Sequence, residues 1–343
     1  MKKKLIALLL VAVLALGVAA CGGKTDTPAS GSDVKPSAAP ATETPADTGT
    51  DTKTYTVGVC QLVQHAALDA ATQGFVDALT AALGDAVTIK VQNASGDSVN
   101  CGTIVNGFLS ENVDLIMANA TPALTAAVSA TDSIPILGTS VTAYSVALDL
   151  DDFNGTVGGN VSGTSDLADL SKQAQMILDW FPETKKVGLL FCSAEANSRY
   201  QIEEVAKYLN DAGVETEEFA FTDSNDVSSV SQKAADASDV IYIPTDNTAA
   251  ANTEAIATVF IPAKVPVIAG EEGICAGCGV ATLSISYYDL GVTTGEMAAK
   301  ILTGEADISE MPVEFTDATP KYNAAICEQL GITPLDGYVA IEG

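Results

Sequence analysis

From residue 54 onward the chain alternates short β-rich runs with longer segments whose apolar residues recur at helical spacing, and it does so twice. Residues 56–60 form the first β-rich run. In residues 68–83, Leu68, Ala71, Phe75, Ala78, Leu79 and Ala82 make one helical stripe, and Gly84 ends it. Residues 87–91, 115–118 and 134–137 read as further strands, with helices at 101–112 and 122–130 between them. Pro122 suits a first helical turn. The pattern restarts with a helix at 170–181, stopped by Pro182. Strands then fit at 187–191, 217–220, 240–243, 265–268 and 281–285, and helices at 202–212, 227–235, 248–259 and 290–302. Such alternation leaves few options beyond parallel sheets with right-handed helical crossovers. Two successive sets predict an α/β protein of two Rossmann-like lobes with parallel sheets. The roughly 290 residues involved are too many for one core of ordinary size.

The first 54 residues follow other rules. Lys2, Lys3 and Lys4 precede an apolar run at 5–20, which is marginal for a membrane span and has the length of a signal's apolar region. The ending Val18-Ala19-Ala20-Cys21 resembles the lipobox of bacterial lipoproteins. That resemblance implies a signal peptide at 1–20 and a lipid on Cys21; an ordinary secretory signal with a chance Cys is the alternative. Residues 21–54 are small, polar and free of aromatic side chains before Tyr55. They cannot bury enough apolar area to offset ordering entropy, so a flexible linker is expected. The formal net charge of −28 excludes nonspecific nucleic-acid binding as a main role.

Six cysteines follow Cys21: Cys60, Cys101, Cys192, Cys275, Cys278 and Cys327. An even number outside the membrane permits disulfides, but the spacing is not that of a dense disulfide scaffold. Cys275-Ala-Gly-Cys278 has no second pair and no nearby His to complete a zinc site, so a structural role is expected, with a local disulfide as the alternative. No Ser stands in G-x-S-x-G, no G-x-G-x-x-G follows a strand, and Gly22-Gly23-Lys24-Thr25 is not a full phosphate-binding loop. No enzyme, cofactor or metal is expected.

Polar clusters fall after the strands, where ligands of open parallel sheets bind. Gln64 and His65 follow the first strand. Thr121 follows the third, and Ser140 and Thr142 the fourth. In the second set, Glu195 and Ser198 follow the strand at 187–191, Asp246 and Asn247 follow 240–243, and Glu271 follows 265–268. Hydroxyls, amides and carboxylates with few cations suit a small zwitterion: hydroxyls and helix N–H groups on its carboxylate, acidic groups on its ammonium. Each residue has a plainer reading as well. Asp246, Asn247, Thr121, Glu195 and Ser198 are good helix caps, and His65 is either a ligand contact or a loop residue. Tyr287 and Tyr288 are either packing or stacking aromatics, and Trp180 is expected to pack.

Several segments in order carry a closer resemblance: VCQLVQHAALD at 59–69, Gly74-Phe75, Ala120-Thr121-Pro122, NVSGTSD at 160–166, KVGLLFCSAEANS at 186–198, DVIYIPTDN at 239–247 and SYYDLGVTTG at 286–295. Together they resemble the ABC-transporter substrate-binding lipoproteins of the type I periplasmic-binding fold, in the branch associated with tryptophan and tyrosine uptake. Ala66, where that family has Pro, and the stretch at 275–278 depart from it. The resemblance implies a clamp of two lobes, residues 55–163 plus 287–313 and residues 164–286 plus 314–343, joined by a three-segment hinge. Asp166 would sit at that hinge. The implied ligand is an amino acid, aromatic above all, with branched-chain amino acids and other small solutes as alternatives. The implied partners are a membrane permease and, through Cys21, the membrane itself; a monomer is expected. A ligand sensor serving a receptor or kinase is the alternative role.

Overall fold

The computed structural model describes residues 53–341. The signal peptide expected at 1–20, the lipid on Cys21 and nearly all of the linker expected at 21–54 lie outside those residues. The fold begins with β1 (Tyr55–Gln61), α1 (Ala66–Leu83), β2 (Val87–Asn93), α2 (Ser98–Ser110), β3 (Leu115–Asn119), α3 (Thr121–Ala130), β4 (Ile136–Val141), a single turn α4 (Tyr144–Ala147) and β5 (Val161–Ser165). It repeats with α5 (Leu170–Trp180), β6 (Lys186–Cys192), α6 (Ala196–Asp211), β7 (Glu215–Phe221), α7 (Val227–Ala237), β8 (Val240–Ile243), α8 (Asn247–Ala250), α9 (Thr253–Ala263), β9 (Val267–Ala269), α10 (Glu272–Cys278) and β10 (Ala281–Ser284). The chain then forms α11 (Tyr287–Thr303), β11 (Glu314–Phe315), β12 (Thr319–Tyr322), α12 (Ala324–Leu330) and β13 (Val339–Ala340).

Two sheets result. The first has the order β11-β5-β4-β3-β1-β2, parallel throughout; the second has the order β13-β12-β10-β9-β8-β6-β7, antiparallel only where β12 meets β10. Each contains the same five-strand core, with the first strand of the set between the second and the third. β3 and β4 are buried at every position, as expected of parallel strands covered by helices on both faces. β2, at an edge, is mostly exposed and ends in polar residues.

The chain passes between the sheets three times, at 165–170, 284–287 and 315–319. After the second passage α11 packs along α1, some 200 residues earlier in the chain, and no side chain separates the two backbones there. A Cβ on Gly74 would strike the Tyr288 carbonyl, and one on Gly291 the Ala71 carbonyl. Glu314–Phe315, which the sequence boundary assigns to the second lobe, pairs with β5 as the edge of the first sheet.

Three helices begin three or more residues earlier than apolar periodicity indicates. α6 starts at Ala196 rather than Ile202 because its first turns bury polar groups through hydrogen bonds: Gln201 Nε2 donates to the Thr245 carbonyl, and Gln201 Oε1 accepts from Thr245 N. α11 starts at Tyr287, capped by Ser286. α2 starts at Ser98, capped by Asp97. The helix expected over 248–259 is two helices, broken at Ala251 and Asn252, of which the second continues to Ala263. All six described cysteines are buried free thiols, Cys275 and Cys278 among them.

Candidate functional site

The carboxyl ends of both sheets face one another, and polar residues collect between them. Gln61 closes β1 and shapes the turn that follows: its Nε2 donates to the Val63 carbonyl at 2.9 Å and to Asp69 at 2.6 Å, and its Oε1 accepts from Thr72 at 2.6 Å. That turn delivers His65 to the start of α1. Across the cleft its Nε2 meets Asn247 Oδ1 at 3.3 Å, so the two lobes touch. Ala120 (φ 90°) and Ser140 (φ 54°), at the ends of β3 and β4, both lie in the left-handed region that non-glycine residues avoid. Such strain persists where surrounding structure enforces it, commonly at ligand sites.

A small cavity, with room for little more than one water molecule, lies between the lobes. From the first sheet and the crossings come His65, Leu68, Ser140, Thr142, Asp166 and Tyr287; Asn197, Thr245, Asp246, Asn247, Ala250 and Glu271 complete the lining. Four buried side-chain atoms on these residues have no hydrogen-bond partner: His65 Nδ1, Ser140 Oγ, Asp166 Oδ1 and Asn197 Oδ1. Buried polar groups without partners are rare, and four around one cavity make it the candidate ligand site. A wider, solvent-open cleft adjoins it past Asn247 and Glu195, and its lining holds no such atom.

The carboxylates divide by what they already bind. Asp246 caps α8: its Oδ1 accepts from Ala249 N at 2.8 Å, and its Oδ2 accepts from Cys192 N at 2.6 Å. Glu271 caps α10 through Ile274 N at 2.6 Å and Gly273 N at 2.7 Å. Both therefore line the cavity with oxygens engaged by the backbone. Asp166 differs. Its Oδ2 accepts from the Tyr287 hydroxyl at 2.8 Å, while Oδ1 is free and buried. Burial raises all three carboxyl groups above the ordinary range. Asp246, with Glu195 beside it, is pushed up to about 8 and Glu271 to about 7. Asp166 is raised by burial against the opposing pull of the Tyr287 bond. No Lys or Arg lines the cavity, so a cationic group on a ligand meets no competing cation there and favours the charged forms of these carboxyl groups.

Of the residues singled out from sequence, His65, Ser140, Thr142, Asp166, Asp246, Asn247 and Glu271 line this cavity. Four do not. Gln64 is exposed at the tip of the turn after β1. Thr121 is buried at the start of α3, where its carbonyl accepts from the Thr125 hydroxyl. Ser198 is fully buried beneath Asn197 Nδ2. Glu195 is consumed by the start of α8: Oε2 accepts from Asn247 N at 3.0 Å and Asn247 Nδ2 at 2.7 Å, and Oε1 accepts from Thr248 N and Oγ1. Its role is to orient Asn247. Sequence reasoning left out Leu68, Asn197, Thr245 and Ala250 as lining residues, and gave Tyr287 either a packing or a stacking role. Asn197 and Thr245 stand inside the polar clusters already noted, and Tyr287 follows β10 directly, so only Leu68 and Ala250 lacked a signal.

Comparison with known proteins agrees with this fold. Residues 56–339 match the family model described as ABC transporter substrate binding protein. A tyrosine-binding protein of Clostridioides difficile (strain R20291) is 34% identical over 270 residues, covering 78% of each chain. A solved Streptococcus pneumonia ABC domain in complex with L-Trp is 30% identical with a TM-score of 0.80, covering 84% of this chain and all of that one. A ligand-free, open substrate binding protein with adhesive properties from Clostridium difficile is more identical, at 35%, covering 84% of this chain and 99% of that one, yet its TM-score is 0.64. In this structure the lobes touch at the His65–Asn247 contact. The two sheets and their crossings are those of the periplasmic binding protein-like I fold, and the chain belongs to the ABC transporter substrate binding protein family.

Proposed function

We propose that this chain captures an aromatic L-amino acid between its lobes outside the cell and presents it to the permease of an ABC importer. The observation that carries the reading is the set of unpartnered buried atoms on one cavity lining, Asp166 Oδ1, Ser140 Oγ, Asn197 Oδ1 and His65 Nδ1. An ammonium group matches Asp166 Oδ1 and the excess of carboxylates. A carboxylate matches the Ser140 hydroxyl, which together with Thr142 comes from the first lobe. Leu68, Ala250 and Tyr287 offer apolar surface to a side chain. The names of the tyrosine-binding relative and of the L-Trp complex support an aromatic side chain. Isothermal titration of the soluble domain with the twenty amino acids tests it. Tight binding confined to aromatic amino acids is expected, and tight binding confined to another class would end the aromatic reading.

The capture step is a clamp motion about the three crossings at 165–170, 284–287 and 315–319, with residues 55–165 plus 287–315 turning against 170–284 plus 319–340. A ligand that touches both lobes shifts the population toward closure. Small-angle scattering should show a smaller radius of gyration at saturating ligand. The lipobox-like ending at Cys21 supports a membrane tether. Metabolic fatty-acid labelling of wild type, lost in Cys21→Ser, checks it.

A further inference from the structure

His65 is the only histidine in the chain, and its surroundings determine which ring nitrogen carries the proton. Glu195 accepts from Thr248 N, Thr248 Oγ1 and Asn247 N, so its carboxylate acts as acceptor throughout. The Asn247 side-chain atom 2.7 Å from Glu195 Oε2 must then be the NH2 group, because two acceptors do not attract. The opposite Asn247 atom is the carbonyl Oδ1, and it faces His65 Nε2 at 3.3 Å. Nε2 must therefore carry the hydrogen. In the neutral ring Nδ1 is left as a bare acceptor, and it is buried without a partner on a residue that lines the cavity. Burial favours the neutral ring over the opposing influence of Asn247, Glu195 and Asp69.

We infer that His65 Nδ1 is a specificity element that accepts a hydrogen bond from a donor on the ligand's aromatic ring, selecting the tyrosine phenol or the tryptophan indole over phenylalanine. This rests on the aromatic amino-acid reading above and goes beyond it by naming the discriminating atom. The chain Glu195–Asn247–His65 acts as a polarity ruler: a carboxylate at one end sets the direction of both hydrogen bonds and leaves an acceptor at the other. A phenylalanine ring brought to Nδ1 would leave that acceptor buried and unpaired, whereas tyrosine or tryptophan would satisfy it. Sites built to hydrogen-bond a ligand group reject the analogue lacking it far more strongly than apolar pockets reject a missing methylene.

Two measurements test the assignment. The first is titration calorimetry of wild type and His65→Ala with L-Tyr, L-Trp and L-Phe. Wild type should bind phenylalanine at least about tenfold more weakly than the tighter of the other two. In His65→Ala that preference should shrink to within about threefold, even where the lost lobe contact weakens all three. The second is nitrogen-15 correlation spectroscopy of the His65 ring, free of overlap because it is the only histidine. It should show a hydrogen on Nε2 and a shift at Nδ1 when tyrosine or tryptophan is added, absent with phenylalanine. Equal wild-type affinity for the three, a preference that survives in His65→Ala, or a hydrogen on Nδ1 would each overturn the assignment while leaving the aromatic reading intact. If none of the three binds, the aromatic reading falls and this assignment with it.

Discussion

Asp166 and Tyr287 lie 121 residues apart, each just beyond a strand end where the chain crosses between sheets, and the Tyr287 hydroxyl donates to Asp166 Oδ2 at 2.8 Å. One hydrogen bond thus ties two of the three crossings together beside the cavity, and it holds the Asp166 carboxylate with its second oxygen free. On the proposed function, ligand charge and hinge position would meet in a single side chain.

The first prediction concerns that carboxylate. Removing one partner of a buried charge pair costs roughly 2–5 kcal/mol, so Asp166→Asn should weaken amino-acid binding by about 30-fold or more. Tyr287→Phe removes a hydrogen bond to a charged group, worth about 1.5–3 kcal/mol, and should weaken binding about tenfold or more. Calorimetric titration decides both; unchanged affinity in Asp166→Asn would move the ammonium site elsewhere.

Asp246 should behave differently from Asp166. Its oxygens serve Ala249 N and Cys192 N, so Asp246→Ala removes a cap worth about 0.5–2 kcal/mol and leaves Cys192 N buried without an acceptor, a further cost of about 1–3 kcal/mol. Urea unfolding should register a loss of that size. A variant of wild-type stability with lost binding would restore Asp246 as a direct ligand anchor.

Stability should fall as pH rises through neutrality. Burial raises Asp246 to about 8 and Glu271 to about 7, whereas an unfolded carboxyl titrates near about 4. Between those values the native state holds protons that the unfolded state has released, so alkali favours unfolding. Their contribution is complete below about pH 4 and is lost by about pH 8. Urea unfolding at pH 5.5 and at pH 8.5 checks the direction, and the decline should be shallower in Glu271→Gln.

Gly291→Ala should destabilise the first lobe. Its Cβ would meet the Ala71 carbonyl of a neighbouring helix, where neither backbone can yield without separating α1 from α11. Overpacking of this kind costs about 1–3 kcal/mol, read as a lower urea midpoint with an unchanged slope. Gly102→Ala, with open space around the added methyl, is the control.

The alternation of strands and helices was legible because parallel strands and amphipathic helices write their periods directly into apolar residues such as Leu68, Phe75 and Leu79. The strand 240–243 matches β8 to the residue. What stayed hidden is held by polar or long-range contacts. β5 reads as Val-Ser-Gly-Thr-Ser, and its buried hydroxyls are satisfied by Met311, Thr142 and Thr294 from distant segments. β11 is two exposed residues with no period to detect. At the site, the strand-end rule located the cavity, but residue type alone could not rank Asp166 above Asp246. Both are aspartates after strands, and only the spatial arrangement shows that backbone N–H groups claim one and leave an oxygen of the other free.

The order in which the chain is made has a bearing on how the two sheets assemble. The core strands β6 to β10 and their helices are one uninterrupted stretch, so that half can condense as soon as residue 284 is available. The other half starts first, yet its last pieces, α11 and β11, come only after that stretch is complete. The face of α1 around Gly74 stays uncovered until α11 arrives, and β5 remains an open edge until Glu314 and Phe315 dock on it. The earliest residues of the fold must therefore wait for nearly the latest ones, and an emerging chain would expose that sticky helix face and unpaired strand for most of its synthesis.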